Sequence, residues 1–551
     1  MPLFSPNPAI YWIITYGLCW LLVGAVIWFR PKPGLVFAAA IGLLFLLRLP
    51  SIVFNNEINP DESQMITQAL TLRQDPVYFR SVDGTTGGPL DSYFLILPSL
   101  LGLPFDFITA HLTAFLLIAV SLWLLTRTAQ LWYGQTAATV ALLPLAFVLG
   151  LTPVGDFLHY SSELFPVLLL SLSYYLYATL LSQKTPNTAR VALVGVLLGM
   201  VPFGKLQAVP LAAVVGLFVG LLILFRPTLS VGAKLGRFVA LGAGAVLFPL
   251  LFVGFMWISG VYEDFVTFYI IGNLKYASNT NQLETLLQLP TYFYNSGPLC
   301  WFIVLALLTW VVGSLLSMRN SFQFTQTSMT QTGFVVVLML ATLFSITRTG
   351  SGYLHYLFFL MGPLLLGMAY GWSQIQPIIR NGYWLGMSAA VLVLLGFGVQ
   401  VVMNYKNKQP INPYPSIWQN GWVIQQSPVA KEIRKYAQPG EKLVVWGWRC
   451  DYYVQTQMPQ GVNENHTIRS AFEHPLLKTY QQRYVRDFIR STPPVFVDAV
   501  GKFNLWMTDR TTQGHEMIKP LGDYVRNNYK YVGLIDDTRI YVRNDRARQS
   551  E

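Results

Sequence analysis

Charged residues make up only 11% of this 551-residue chain, well under the share that an ordinary soluble domain carries. Cysteine is scarcer still. Cys19 and Cys300 lie in apolar runs and Cys450 stands alone in a polar stretch, which excludes a disulfide scaffold. No Cys and His spacing resembles a zinc site. No G-x-G-x-x-G follows a strand-like run and no P-loop occurs, so the usual nucleotide cradles are excluded as well. The first apolar run has no basic segment before it, and no cleavable signal is expected. No internal repeat is found, which weighs against the paired halves of many transporters.

What is abundant is apolar surface. Hydrophobic residues reach 53% and the mean hydropathy is +0.44. About twelve apolar stretches of spanning length begin near residues 9, 34, 106, 136, 164, 190, 207, 238, 298, 332, 353 and 382. The expected fold is a polytopic α-helical membrane protein with about twelve transmembrane helices, added interfacial helices and a small C-terminal soluble α/β domain. Pro202, Gly204, Lys205 and Gln207 interrupt the run from 190 to 225 and mark either a tight turn or a broken helix. The Ser, Thr and Gln rich stretch Ser321–Thr332 reads as a flexible loop.

Short connections carry their Lys and Arg on one side: Arg30, Lys32, Arg127, Lys184, Arg190, Arg226, Lys234, Arg237, Arg319 and Arg380. That side is expected to be cytoplasmic. The start, Met1 to Ile10, then faces out, as do the Asp61 loop, residues 152 to 163, Lys205, residues 260 to 297, Arg348 to Tyr353 and everything after Met403. The net charge of +11 follows from these markers and from the tail, and needs no nucleic acid.

Composition changes abruptly near residue 403. Residues 1–403 are expected to form a transmembrane catalytic domain whose outer loop, 55–105, carries an acidic motif. Residues 404–551 are expected to form a periplasmic or extracellular α/β domain behind a polar linker, Asn404–Pro415. In that tail Pro428–Tyr436 and Gly522–Asn528 read as helices, and Lys442–Trp448 and Val495–Val500 as buried strands. Tyr531–Asp536 with Arg539–Arg543 reads as a closing hairpin.

Asp61 and Glu62 follow an apolar run and open a helical stretch, Glu62 to Leu72, that is too polar to span. An acidic pair at a membrane's edge is costly and points to function. The same loop holds Arg73 and Arg80, then Gly87-Gly-Pro, read as a turn, and an apolar stretch of about a dozen residues, read as interfacial. Asp156-Phe-Leu-His-Tyr-Ser-Ser-Glu163 offers a carboxylate, the His159 imidazole, Tyr160 and hydroxyls at the mouth of an apolar helix, a set that suits a polyol. Lys205, beside Gly204 and Gln207, can aim an ammonium at a phosphate, and Arg348 with His355 repeats the pattern. Carboxylates that take a proton and cations that neutralise a departing phosphate are the inventory for moving a sugar off a lipid phosphate. A transporter or flippase for a lipid-linked sugar is the alternative.

The chain resembles the GT-C superfamily of integral-membrane glycosyltransferases, in the branch of the lipid A aminoarabinose transferases and protein O-mannosyltransferases. The resemblance rests on Asp61-Glu62, on Gly88-Pro-Leu-Asp-Ser-Tyr-Phe with Asp91 and Tyr93, and on Gly204-Lys205. It also rests on Phe265-Val-Thr-Phe-Tyr, Pro290-Thr-Tyr-Phe-Tyr and Gly352-Tyr-Leu-His-Tyr-Leu. It implies a polyprenyl-phosphate sugar as donor, a lipid, glycan or protein as acceptor, and inversion at the anomeric carbon. The site would lie on the outer face of a bacterial inner membrane, among membrane lipids. Asp61 matches the catalytic acidic position, with Glu62 in support. Glu163, His159, Tyr160, Asp91 and Tyr93 are expected to hold substrate. Gln64 and Gly88 stand where lipid A transferases place an Arg and a Lys, so the phosphate is expected on Lys205, Arg73, Arg80, Arg348 or His355. No cofactor is required, although Asp61, Glu62 and Glu163 could supply oxygens to a divalent metal.

Overall fold

The computed structural model describes residues 8–278, 281–319, 326–379, 382–408 and 422–549. Among them ten helices are long and apolar enough to cross a bilayer: Ile10–Phe29, Pro33–Val53, Phe107–Tyr133, Leu164–Leu181, Leu206–Phe225, Val231–Ile258, Pro298–Met318, Met329–Thr347, Leu354–Ile378 and Ser388–Lys406. Two shorter apolar helices, Gln135–Leu151 and Thr188–Gly204, fall at the remaining expected positions. The chain is a multi-pass helical membrane protein.

The interrupted run is two helices. Thr188–Gly204 ends where Lys205 turns extended, at φ −153 and ψ 120, and a 3-10 turn, Leu206–Ala208, restarts the chain into Val209–Phe225. The loop expected at Ser321–Thr332 is shorter than its composition suggests. The helix Gln326–Thr347 takes in its second half, because lengthening an existing helix is cheap and Gln and Met are good helix formers. Residues 320–325, Arg380, Met1–Asn7 and the linker beyond Lys408 lie outside the described residues. The first linker residues, Asn404 to Lys406, continue the last apolar helix.

The chain divides into two compact units. One comprises residues 1–53, 114–251 and 280–419. Its helices pack through small residues. A methyl group on Gly199 would run into the Ala245 carbonyl, and one on Gly371 into the Thr309 carbonyl, so backbones meet there as nothing larger than glycine allows.

The other unit comprises residues 54–113, 252–279 and 420–551. Its sheet has four strands: β1 (Leu443–Trp446), β2 (Val495–Asp498), β3 (Tyr529–Ile535) and β4 (Thr538–Arg543), in the order β1-β2-β4-β3. β1 and β2 are parallel; the other two pairs are antiparallel. β1 and β2 are buried along their whole length, as continuous apolar strands must be when both faces are covered. Val429, Ile433 and Tyr453 pack on one face and Tyr484, Phe488 and Leu521 on the other. The helices Pro428–Tyr436 and Lys519–Asn528 stand where the sequence places them. The helix Leu477–Ser491 does not follow from the sequence reading.

Candidate functional site

In the unit that carries the tail, Asn55-Asn-Glu-Ile-Asn-Pro leads into the helix Pro60–Gln74. Asn59 is its cap, with Pro60 next and Glu62 completing a capping box, so local sequence alone fixes where the helix starts. The Asp61 amide donates to Asn59 Oδ1 at 3.0 Å. Asp61 itself is half-buried, whereas Glu62 is wholly buried and pairs through Oε2 with His111 Nε2 at 2.8 Å. Glu62 Oε1 accepts from the Ile58 and Asn59 amides. Glu62 therefore holds the helix start in place, with the half-buried Asp61 beside it in the first turn and the exposed Glu57 in the loop before it.

The helix is polar yet buried from Glu62 to Leu72, and several of its polar groups are matched, although Gln68 Nε2 has no hydrogen-bond partner. Gln64 O accepts from Asn465 Nδ2 at 2.8 Å, Gln68 Oε1 from Ser92 Oγ at 2.6 Å, and Thr71 Oγ1 from the Gln460 amide at 3.0 Å. The Gly87 amide closes a turn on the Gly84 carbonyl at 2.9 Å, and the helix Pro89–Phe94 follows. Asp91 is buried there, and the Tyr93 hydroxyl donates to the Pro76 carbonyl at 2.5 Å. Leu97, Leu100, Leu101 and Leu103 beyond it are exposed, as an interfacial stretch requires. Arg73 is exposed in the last turn of the Asp61 helix, and Arg80 donates through Nε to Asp75 at 3.0 Å.

In the other unit a second polar group forms where the chain leaves Gln135–Leu151 and enters Leu164–Leu181. Asp156 sits in a 3-10 turn and accepts from His355 Nδ1 at 2.9 Å. His159 Nδ1 lies 3.0 Å from the Gly155 carbonyl, and its ring meets that of His355 edge to face at 5.9 Å. Tyr160 is fully buried. Glu163 is buried at the helix mouth, with Lys205 Nζ 2.8 Å from its Oε1. The same ammonium donates to Ser162 Oγ at 2.6 Å and lies 5.3 Å above the Tyr356 ring. Burial pulls the Glu163 carboxyl upward, but the Lys205 and His355 charges override it and hold the group at about 2. Burial likewise opposes Asp156, and its bond to His355 lowers it.

Of the candidate residues, Glu163, Lys205, His159 and His355 lie in this group. Arg348, half-buried after the end of Gln326–Thr347, stands outside these pairs. Two residues were missed. His111 is hidden in an apolar helix with no motif around it. Arg48, fully buried, donates to the Leu149 carbonyl at 3.1 Å and also to the Phe157 carbonyl, tying down the Asp156 turn. A charge near the end of an apolar run was its available signal.

Glu62 engages both carboxylate oxygens, Oε2 with His111 and Oε1 with the Ile58 and Asn59 amides, whereas Glu163 engages only Oε1 and its buried Oε2 has no hydrogen-bond partner. In the tail, Asp498, His515 and Glu516 gather ligand atoms within 4.8 Å of one another. Arg539 already bonds both carboxylates, which fills the place a cation would take.

The fold resembles that of solved GT-C membrane enzymes. The particular likeness is to ArnT from Cupriavidus metallidurans bound to undecaprenyl phosphate, with a TM-score of 0.56 at 13% identity, over 93% of this chain and 98% of that one. The apo state of the same protein superposes with a TM-score of 0.52 at 13% identity, over 92% and 97%. No protein-family model and no curated protein sequence matches the chain.

Proposed function

We propose that the chain is a glycosyltransferase that moves a single sugar from a polyprenyl-phosphate donor to a lipid, glycan or protein acceptor, with inversion, on the outer face of a bacterial inner membrane. The observation that carries this reading is the fold shared over nearly the whole of both chains with an ArnT solved with undecaprenyl phosphate. The side chains supply the matching chemistry. Asp61 takes the proton of the acceptor hydroxyl as its oxygen attacks the anomeric carbon. The bond from that carbon to the phosphate oxygen breaks, and the lipid phosphate leaves with the electron pair. Lys205 is the cation for the departing phosphate, held ready by Glu163 and Ser162. In this reading His159, Tyr160 and the Asp156–His355 pair hold the sugar or its phosphate. Glu62 and His111 position the Asp61 turn.

Mass spectrometry of lipid-linked sugars and surface glycans tests this in cells carrying wild type, a deletion, or Asp61→Asn. One polyprenyl-phosphate sugar should accumulate in both mutants, with loss of the matching surface residue, while Asp61→Asn is expressed normally and still binds donor. Unchanged glycans in the deletion strain would remove the transferase reading. Full activity of Asp61→Asn alone would remove Asp61 from the catalytic role.

A further inference from the structure

Phe503, Leu505 and Trp506 in the tail are each about half exposed. Three large apolar side chains within four positions make a patch that water-facing surfaces seldom carry without a partner. Their outward direction is built into the loop. Asn504, buried among them, donates through Nδ2 to the Ala499 carbonyl at 3.1 Å. Its Oδ1 accepts from the Trp506 and Met507 amides at 3.2 and 3.0 Å. The Gly501 amide closes the loop on the Met507 carbonyl at 2.9 Å, and Met507 is buried. With Asn504 and Met507 fixed inward, the side chains beside them are held out.

The chemistry of the loop fits one occupant. Trp, Phe and Leu next to a lysine are the residues that settle at the boundary between headgroups and acyl chains. Lys502 is exposed, its Nζ 4.7 Å from the centre of the Phe503 ring. In the tail as a whole, basic residues outnumber acidic ones, which favours an anionic surface. The compact unit that holds the loop is also entered directly from the apolar helix Pro33–Val53, and the apolar helix Phe107–Tyr133 starts within it. A unit joined to spanning helices in this way is kept at a bilayer's edge.

We propose that Phe503, Leu505 and Trp506 form a docking loop that inserts into the interfacial layer of the bilayer, with Lys502 among the lipid phosphates. The proposal is independent of the transferase reading, because no step of it uses Asp61, Lys205, a donor or an acceptor.

The test uses the full chain in nanodiscs of phosphatidylcholine and phosphatidylglycerol. An environment-sensitive fluorophore is placed through Trp506→Cys, with Cys19→Ala and Cys300→Ala, and through Lys530→Cys on exposed β3 as the water-facing reference. The label at 506 should be blue-shifted relative to 530, quenched by a lipid with a shallow nitroxide, and shielded from aqueous iodide. Iodide quenching equal to that at 530, with no nitroxide effect, would put the loop in water and overturn the proposal. Shielding from both quenchers would mean contact with protein and overturn it too. A second measurement keeps every cysteine in place: brominated phospholipid should quench less of the intrinsic fluorescence in Trp506→Phe than in wild type, and equal quenching counts against insertion.

Discussion

Lys205 and Glu163 are buried together, and the consequence of removing either alone is set by what it leaves behind. Lys205→Met strands an uncompensated carboxylate, and loss of one partner of a buried pair costs about 3–5 kcal/mol. The thermal midpoint of the purified protein should fall sharply. In Lys205→Met with Glu163→Gln the midpoint should largely recover while transfer stays lost, and recovery of both would remove Lys205 from the chemistry. Because Glu163 is held at about 2, the pair's contribution is complete above the ordinary carboxylate range and fails only as pH falls through that low value. His466 loses stability in the same direction, but over a higher pH range. Burial, with nearby Arg469, holds its imidazole down to about 4 while it stacks 4.7 Å from Trp448. The fold thus prefers the neutral ring, with full stability above about 6.5 and a loss as pH falls toward 4. Between pH 7.5 and 5.0 the loss should be roughly 2 kcal/mol, and His466→Phe, which keeps a ring but cannot titrate, should show a correspondingly smaller drop in melting temperature.

At the scale of elements, close backbone approach decides how the apolar helices associate. Gly199→Leu has no free space beside Ala245, so Thr188–Gly204 must move away from Val231–Ile258. Thermal unfolding in detergent should show a loss of at least ~1–3 kcal/mol, whereas Gly242→Leu, with nothing near its missing Cβ, should be nearly neutral. Elements whose reason is local were legible in the sequence. Length and hydropathy place the apolar helices, Pro and Gly place the break at Lys205, and unbroken Val and Phe runs place β1 and β2. The helix Pro60–Gln74 was legible as the helical stretch Glu62 to Leu72 that follows Pro60. Its burial was not, because no apolar stripe runs along it and its partners, Gln460 and Asn465, lie in the tail. The helix Leu477–Ser491 was hidden for a related reason: its buried face includes Arg483 and Asp487, which read as solvent-facing charges.

At the scale of the whole molecule, the tail is part of the structure that holds the acidic loop. Truncation after Asn407 should therefore not yield an active membrane core. Without Gln460 and Asn465 the Asp61 helix loses bonds to its buried polar groups, and such groups left unmatched cost about 1–3 kcal/mol each. The truncated chain should insert into membranes yet show protease-sensitive cleavage between residues 55 and 105 and no transfer. Protection of that loop equal to wild type would show that it folds unaided. The candidate residues followed the same division. Glu163 and Lys205 could be found as single charges in apolar surroundings. The bond between Glu62 and His111 could not, since it depends on a return of the chain that neither segment encodes locally.

The Thr71 hydroxyl and the Gln460 amide that bonds it are 389 positions apart in sequence. During synthesis the segment bearing Asp61 leaves the ribosome early, and the residues that order it emerge only after most of the spanning helices. At a ribosome's pace of about 5–20 residues per second, that interval lasts on the order of 20–80 seconds. Throughout it the segment lacks the partners that match its buried polar groups. Ordering of the Asp61 segment is thus timed by completion of the chain's own biogenesis, and a chain that stalls before Gln460 is made lacks the partner that Thr71 needs.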